Sequence, residues 1–117
     1  MAEQRIPTWC AGEEWCPMTA ASNLLGKKWH PVIISMLVES PAGFNQLKED
    51  VNGISSKVLS ESLEDLQEKG LVEREVVREQ PYRVEYSLTE NGRELKPVLK
   101  ELESWARNHL KPADKEE

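Results

Sequence analysis

Apolar residues recur at helical spacing along most of this chain and at alternate positions in one stretch only. Residues 18–25 (MTAASNLL) read as a short helix stopped by Gly26. Residues 29–39 (WHPVIISMLVE) read as a second helix, with Pro31 in its first turn and Val32, Ile33, Met36 and Leu37 as its apolar stripe. Ser40 to Gly43 form a turn. Residues 44–51 follow as a short helix with Phe44, Leu47 and Val51 inward, broken by Asn52 and Gly53. Residues 55–69 carry the clearest pattern. Ser55 is a natural N-cap, Gly70 a stop, and Val58, Leu59, Leu63 and Leu66 recur at intervals of one, four and three. Ser56, Lys57, Ser60, Glu61 and Glu64 are left outside.

The period then changes. Leu71 to Val77 is rich in valine and charge, and Arg83 to Leu88 places Val84, Tyr86 and Leu88 on one face and Arg83, Glu85 and Ser87 on the other. These are two strands joined through Pro81. A last helix starts after Thr89 and runs to about Leu110, with Pro97 marking a kink or the first turns. Leu95, Val98, Leu99, Leu102, Trp105, Ala106 and Leu110 give it an apolar face wider than a small domain needs. The expected fold class is mainly α with a small β-hairpin wing: a winged helix–turn–helix with a long C-terminal dimerisation helix. Residues 1–17 form an irregular N-terminal arm, 18–110 the folded domain and 111–117 a charged tail. The arm carries Trp9 and Trp15, an apolar load that calls for a surface to pack on.

Composition narrows the function. A chain of 117 residues suits one domain. No apolar run reaches the ~18 residues of a membrane span, and no signal-peptide stretch opens the chain, so a cytoplasmic location is expected. Two cysteines are too few for a disulfide scaffold. Gathering Cys10, Cys16, His30 and His109 into a metal site would require unrelated segments to converge. No metal or cofactor is expected, and no nucleophile elbow, phosphate loop or zinc-hydrolase motif points to an enzyme. His30 reads as a surface residue at a helix start, and His109 as a residue near a helix end, where positive charge is favoured. The net charge of −6 argues against general coating of nucleic acid but leaves room for a local basic patch.

Helix–turn–helix followed by a hairpin is a DNA-binding order. The candidate contacts are Ser55, Ser56, Lys57 and Ser60 at the start of the 55–69 helix, where small hydroxyls approach DNA closely and one lysine supplies charge. Arg78 and Arg83 join them from the wing, where Arg74, Arg78 and Arg83 bracket the tip and could share one projection. The plainer readings stand beside these: serines at a helix start are caps, and wing arginines pair with Glu73, Glu75, Glu79 and Glu85.

The order and spacing of several short stretches carry a resemblance. They are Cys16-Pro17, Leu25-Gly26-Lys27-Lys28-Trp29, Gly43-Phe44-Asn45-Gln46-Leu47, Gly53-Ile54-Ser55-Ser56-Lys57-Val58-Leu59-Ser60, Leu63-Glu64-Asp65-Leu66, Gly70-Leu71-Val72, Val84-Glu85-Tyr86-Ser87-Leu88-Thr89 and Gly92. From Cys16 to about Trp105 the chain resembles the HxlR family of winged helix–turn–helix transcriptional regulators. The resemblance implies a homodimer bound to double-stranded operator DNA, joined through N- and C-terminal helices, with each wing reaching an adjacent minor groove. Trp15, Leu24, Leu99, Leu102 and Trp105 are the expected interface residues. Lys57 and Arg83 fit the family pattern. Glu64 stands where members often carry a basic residue, and Pro81-Tyr82 where they carry two prolines. With Glu61 and Asp65, Glu64 makes the middle of the helix acidic and confines groove contact to its first two turns.

In part of that family the cysteine before the proline senses electrophiles, quinones or oxidants, which makes a small electrophile or oxidant the implied effector. Cys16 precedes a helix, where a thiolate is favoured, and Cys10 is a candidate resolving thiol. The alternative is that Cys16 is a small apolar filler at an interface. Trp29 and Trp105 belong to core or interface, or line an effector pocket between helices. Two other functions compete with operator binding: a winged-helix protein-interaction module that uses its acidic helix, and a thiol-redox protein.

Overall fold

A computed structural model describes residues 15–112. The elements in chain order are α1 (Pro17–Leu25), α2 (His30–Glu39), α3 (Phe44–Asp50), α4 (Ser56–Glu68), β1 (Val72–Glu79), β2 (Tyr82–Leu88), α5 (Glu90–Arg93) and α6 (Leu95–His109). This is the mainly α winged helix–turn–helix that the apolar pattern predicts, with boundaries within a few residues. Most of the 1–17 arm, with Trp9 and Cys10, and the end of the charged tail lie outside the described residues.

Each boundary has a local cause. Pro17 occupies the first turn of α1 and Pro31 that of α2, where a missing N–H costs nothing. The Ser55 hydroxyl accepts from Val58 N at 3.1 Å and caps α4, a contact worth ~1 kcal/mol. Gly53 and Gly70 take φ of 93° and 78°, turning the chain before and after α4 in a conformation that L side chains resist. The long C-terminal helix divides instead of kinking at Pro97: Thr89 caps the single turn of α5 through Gly92 N, and α6 starts at Leu95, placing Pro97 in its first turn.

Ile33, Ile34 and Leu37 of α2, Leu47 of α3, Leu59, Leu63 and Leu66 of α4, and Val72 and Leu88 at the base of the wing meet in one core with Val51 and Ile54. Each fully buried leucine or isoleucine contributes roughly 2 kcal/mol of transfer free energy. The expected α2 stripe needs correction. Ile33, Ile34 and Leu37 are buried, whereas Val32 and Met36 are only partly so, because α2 also serves α6 on its flank. No residue of α6 is fully buried.

β1 and β2 form an antiparallel pair, from Val72 opposite Leu88 to Glu79 opposite Tyr82, with an irregularity between Val76 and Arg78. Ala42 joins this sheet as an isolated bridge. Its N–H donates to Tyr86 O at 3.0 Å, and Tyr86 N–H donates to Ala42 O at 2.8 Å. The approach is close enough that a Cβ on Gly43 would lie 3.3 Å from Val84 O. The wing is thus tied at its base to the turn before α3.

Candidate DNA-binding face

The helix–turn–helix comprises α3, the turn over residues 51–55, and α4. Leu59, Ser62, Leu63 and Leu66 bury one side of α4, so Ser56, Lys57 and Ser60 stand exposed on the other, one turn from its N-terminus. At 13 residues α4 is about 20 Å long, enough for its first turns to enter a major groove. Ser55 acts as a cap, as the plainer reading holds, and its hydroxyl keeps a proton to donate. Lys57 Nζ lies 3.9 Å from Glu61, both well exposed, a contact too solvated to withhold the ammonium from a phosphate.

The wing links the three arginines that the sequence groups together through Arg83, which faces Arg78 and lines one cleft with Arg74. Arg78 stands directly opposite Arg83, and like charges facing across a ladder repel. Arg83 relieves part of this by donating to Glu85 Oε2 at 3.3 Å; Arg78 makes no ion pair among the described residues. Arg74 is not part of this pair. It stands across from Tyr86, and its guanidinium lies against the Tyr82 and Tyr86 hydroxyls.

Two expectations are corrected in the middle of α4. His30 is not a surface residue. It is 4% exposed, and its Nε2–H donates to Asp65 Oδ2 at 2.8 Å. Asp65 does not add to the acidic outer face, because it turns toward α2. Lys69 Nζ reaches both its oxygens, at 2.9 and 3.0 Å, and Lys27 Nζ lies 3.7 Å away. Hydrogen bonds from Lys69 and then His30, reinforced by the lysine charges, lower the Asp65 carboxyl pKa to about 2, so it is ionised throughout the neutral range. Asp65 therefore pins α4 to the α1–α2 turn and the start of α2. No local pattern reveals this tie, since His30 and Asp65 are 35 residues apart; only the Asp65–Lys69 spacing is legible in sequence. Glu61 and Glu64 remain on the exposed side, as expected.

The interface residues expected from sequence fall into two groups. Trp15, Leu102 and Trp105 are 65%, 46% and 53% exposed, large apolar groups left about half open or more. Leu24 and Leu99 are half-buried against the protomer's own core. Trp29 packs on the same core, with Lys28 Nζ 4.8 Å from its ring centroid, and Trp105 lies against His109. A cavity of about 450 Å³ lies between α2 and α6, lined by Val32, Val38, Leu99, Leu102 and Ala106 among others. Cys16 is the N-cap residue of α1 and is disulfide-bonded. No group of His, Cys, Asp and Glu suited to a metal occurs among the described residues, and none of their helices is long and apolar enough to cross a membrane.

A capped recognition helix beside a cation-bearing wing defines a winged helix–turn–helix transcriptional regulator rather than an enzyme. Residues 24–114 match the HxlR-like helix-turn-helix family, and the chain belongs to it. The HTH-type transcriptional regulator YodB of Bacillus subtilis is 40% identical over 104 residues, covering 88% of this chain and 93% of that protein. The solved reduced form of YodB superposes with a TM-score of 0.76 at 40% identity, over 86% of this chain and 99% of that one. YodB has also been solved diamide-treated and quinone-bound. The redox regulator HypR in its oxidised form gives a TM-score of 0.75 at 30% identity, over 82% and 99% of the two chains.

Proposed function

We propose that this protein is a cytoplasmic homodimer that binds a specific operator and releases it when Cys16 changes its thiol state. The observation that carries the DNA assignment is the exposed start of α4. Ser56, Lys57 and Ser60 project from a helix whose opposite side is locked into the core, and Arg78 and Arg83 face one another on the adjoining wing. The serines and Lys57 meet base edges and phosphates in the major groove, and Arg83 holds a phosphate beside it. Lys57→Ala and Arg83→Ala are each expected to weaken binding to the duplex upstream of the protein's own gene without lowering the melting temperature. Each should reduce the slope of log K against log salt by about one, the signature of one lost phosphate contact. Wild-type affinity and slope in both variants would reject the assigned face.

Homodimerisation is supported by the exposed large apolar residues Val98, Leu102 and Trp105 of α6, together with Trp15 and Met18 near the start of α1. A dimer sets the distance between two recognition helices, and that distance must match half-sites about 34 Å apart. Cys16 sits at the head of α1, so chemistry there bears directly on that distance. YodB, solved diamide-treated and quinone-bound, and the redox regulator HypR, solved in its oxidised form, support the same reading. Forming a disulfide removes two electrons and two protons from a pair of thiols, which diamide accepts; a quinone instead adds to one thiolate. Reduced wild type treated with either reagent is expected to lose its operator, while Cys16→Ser retains it. Equal responses in the two proteins would leave Cys16 as a packing residue.

A further inference from the structure

We propose that the cleft between α3 and the wing is a seat for a DNA backbone phosphodiester, with Arg74 as its charged ligand. This rests on the DNA-binding reading above and adds to it a contact on the α3 side of the recognition helix. The cleft encloses about 530 Å³. Its wall comprises Gly43 to Gln46 on one side and Arg74, Tyr82, Arg83, Val84 and Tyr86 on the other. Among the described residues no carboxylate lines it, although acidic residues outnumber basic ones, 21 to 15, in the whole chain.

Arg74 is placed there by register. β1 alternates, so Glu73 and Glu75 pair with Ser87 and Glu85, while Arg74 pairs with Tyr86 between them. Arg74 makes no ion pair among the described residues. Its guanidinium lies beside the side-chain oxygens of Tyr82 and Tyr86, which favour its charged form and raise its pKa further. A cation with no counter-charge among the described residues suits an anion with several acceptor oxygens, and a guanidinium matches a phosphate in a bidentate fork. The Asn45 side chain is exposed on the opposite wall and supplies a neutral donor. Gln46 is less available, since its amide donates to Asp50 Oδ1 at 3.0 Å. The reciprocal hydrogen bonds between Ala42 and Tyr86 keep the two walls at a set separation, so the seat is organised before DNA arrives.

The contact is to backbone, so it carries affinity rather than sequence choice. Wild type, Arg74→Ala, Arg74→Lys and Tyr86→Phe are titrated by fluorescence anisotropy against the duplex upstream of the gene and an unrelated duplex of equal length, across a salt series. Arg74→Ala is expected to weaken both duplexes about tenfold and to reduce both salt slopes by about one. Arg74→Lys restores the slope with part of the affinity, because charge remains but the fork is lost. Tyr86→Phe weakens both duplexes and leaves the slope unchanged, as a positioning residue should. Inorganic phosphate added as competitor at constant ionic strength separates the two sources of the anion: wild type and Arg74→Ala should respond alike if the seat requires DNA. Unchanged affinity and slope in Arg74→Ala would overturn the seat alone, whereas a phosphate response confined to wild type would put the competing anion on Arg74 and support it. Failure of wild type to bind either duplex would overturn the DNA-binding reading and the seat together.

Discussion

Gly92→Ala is expected to cost about 3 kcal/mol or more, a fall in melting temperature of roughly 10–20 °C for a domain of this size. A Cβ on Gly92 would lie 2.2 Å from Leu71 O, 3.1 Å from the Leu71 carbonyl carbon and 3.2 Å from a methyl of Leu88. The first two atoms are backbone and cannot rotate away. Leu71 O also accepts from Thr89 N at 3.0 Å, and the Thr89 hydroxyl donates to Gly70 O at 2.6 Å while accepting from Gly92 N at 3.1 Å. A shift that relieves the clash strains the whole junction joining the end of α4, the base of the wing and α5. Gly70→Ala is the informative contrast. It meets nothing within 4 Å but has φ of 78°, and should cost only about 1 kcal/mol. Urea melts of the two variants check this. Equal losses would show that backbone preference, not crowding, governs Gly92.

Leu102→Glu and Trp105→Glu are expected to convert the proposed dimer to a folded monomer. In the protomer both side chains are about half exposed, so a carboxylate there disturbs little of the core. In a dimer the same carboxylate is buried against apolar groups of the partner subunit, where an unpaired charge costs several kcal/mol. Val98, Leu110, Met18 and Trp15 are further large apolar side chains left exposed. Light scattering at micromolar concentration should give a dimer for wild type and a monomer for each variant, with melting curves still cooperative. Operator affinity should fall in both, because a monomer holds one half-site only. A folded wild-type monomer at that concentration would remove the dimer from the proposed function.

Much of this fold is written in local pattern. The spacing of Leu59, Leu63 and Leu66 determines which side of α4 is buried, and therefore that Ser56, Lys57 and Ser60 face outward. Ser55, Gly53 and Gly70 delimit that helix through capping and positive φ, both properties of single residues. Alternation in Tyr82–Leu88 sets the faces of β2, and the ordered short stretches from Cys16 onward carry the family. Contacts between distant segments were decided only by the tertiary structure. His30 reads as a surface residue because nothing near it is acidic; folding brings Asp65 beside it and turns that carboxylate from the outer face of α4 to an inner anchor. Arg74, Arg78 and Arg83 read as one cluster because strand pairing is invisible in a linear chain. Register sets Arg78 opposite Arg83 and Arg74 opposite Tyr86, and the Ala42 bridge supplies the opposite wall of the cleft that Arg74 and Arg83 line. Helix periodicity and capping act within a few residues, so sequence alone resolves them. Ion pairs, cross-strand neighbours and clefts depend on which segments the common core brings together.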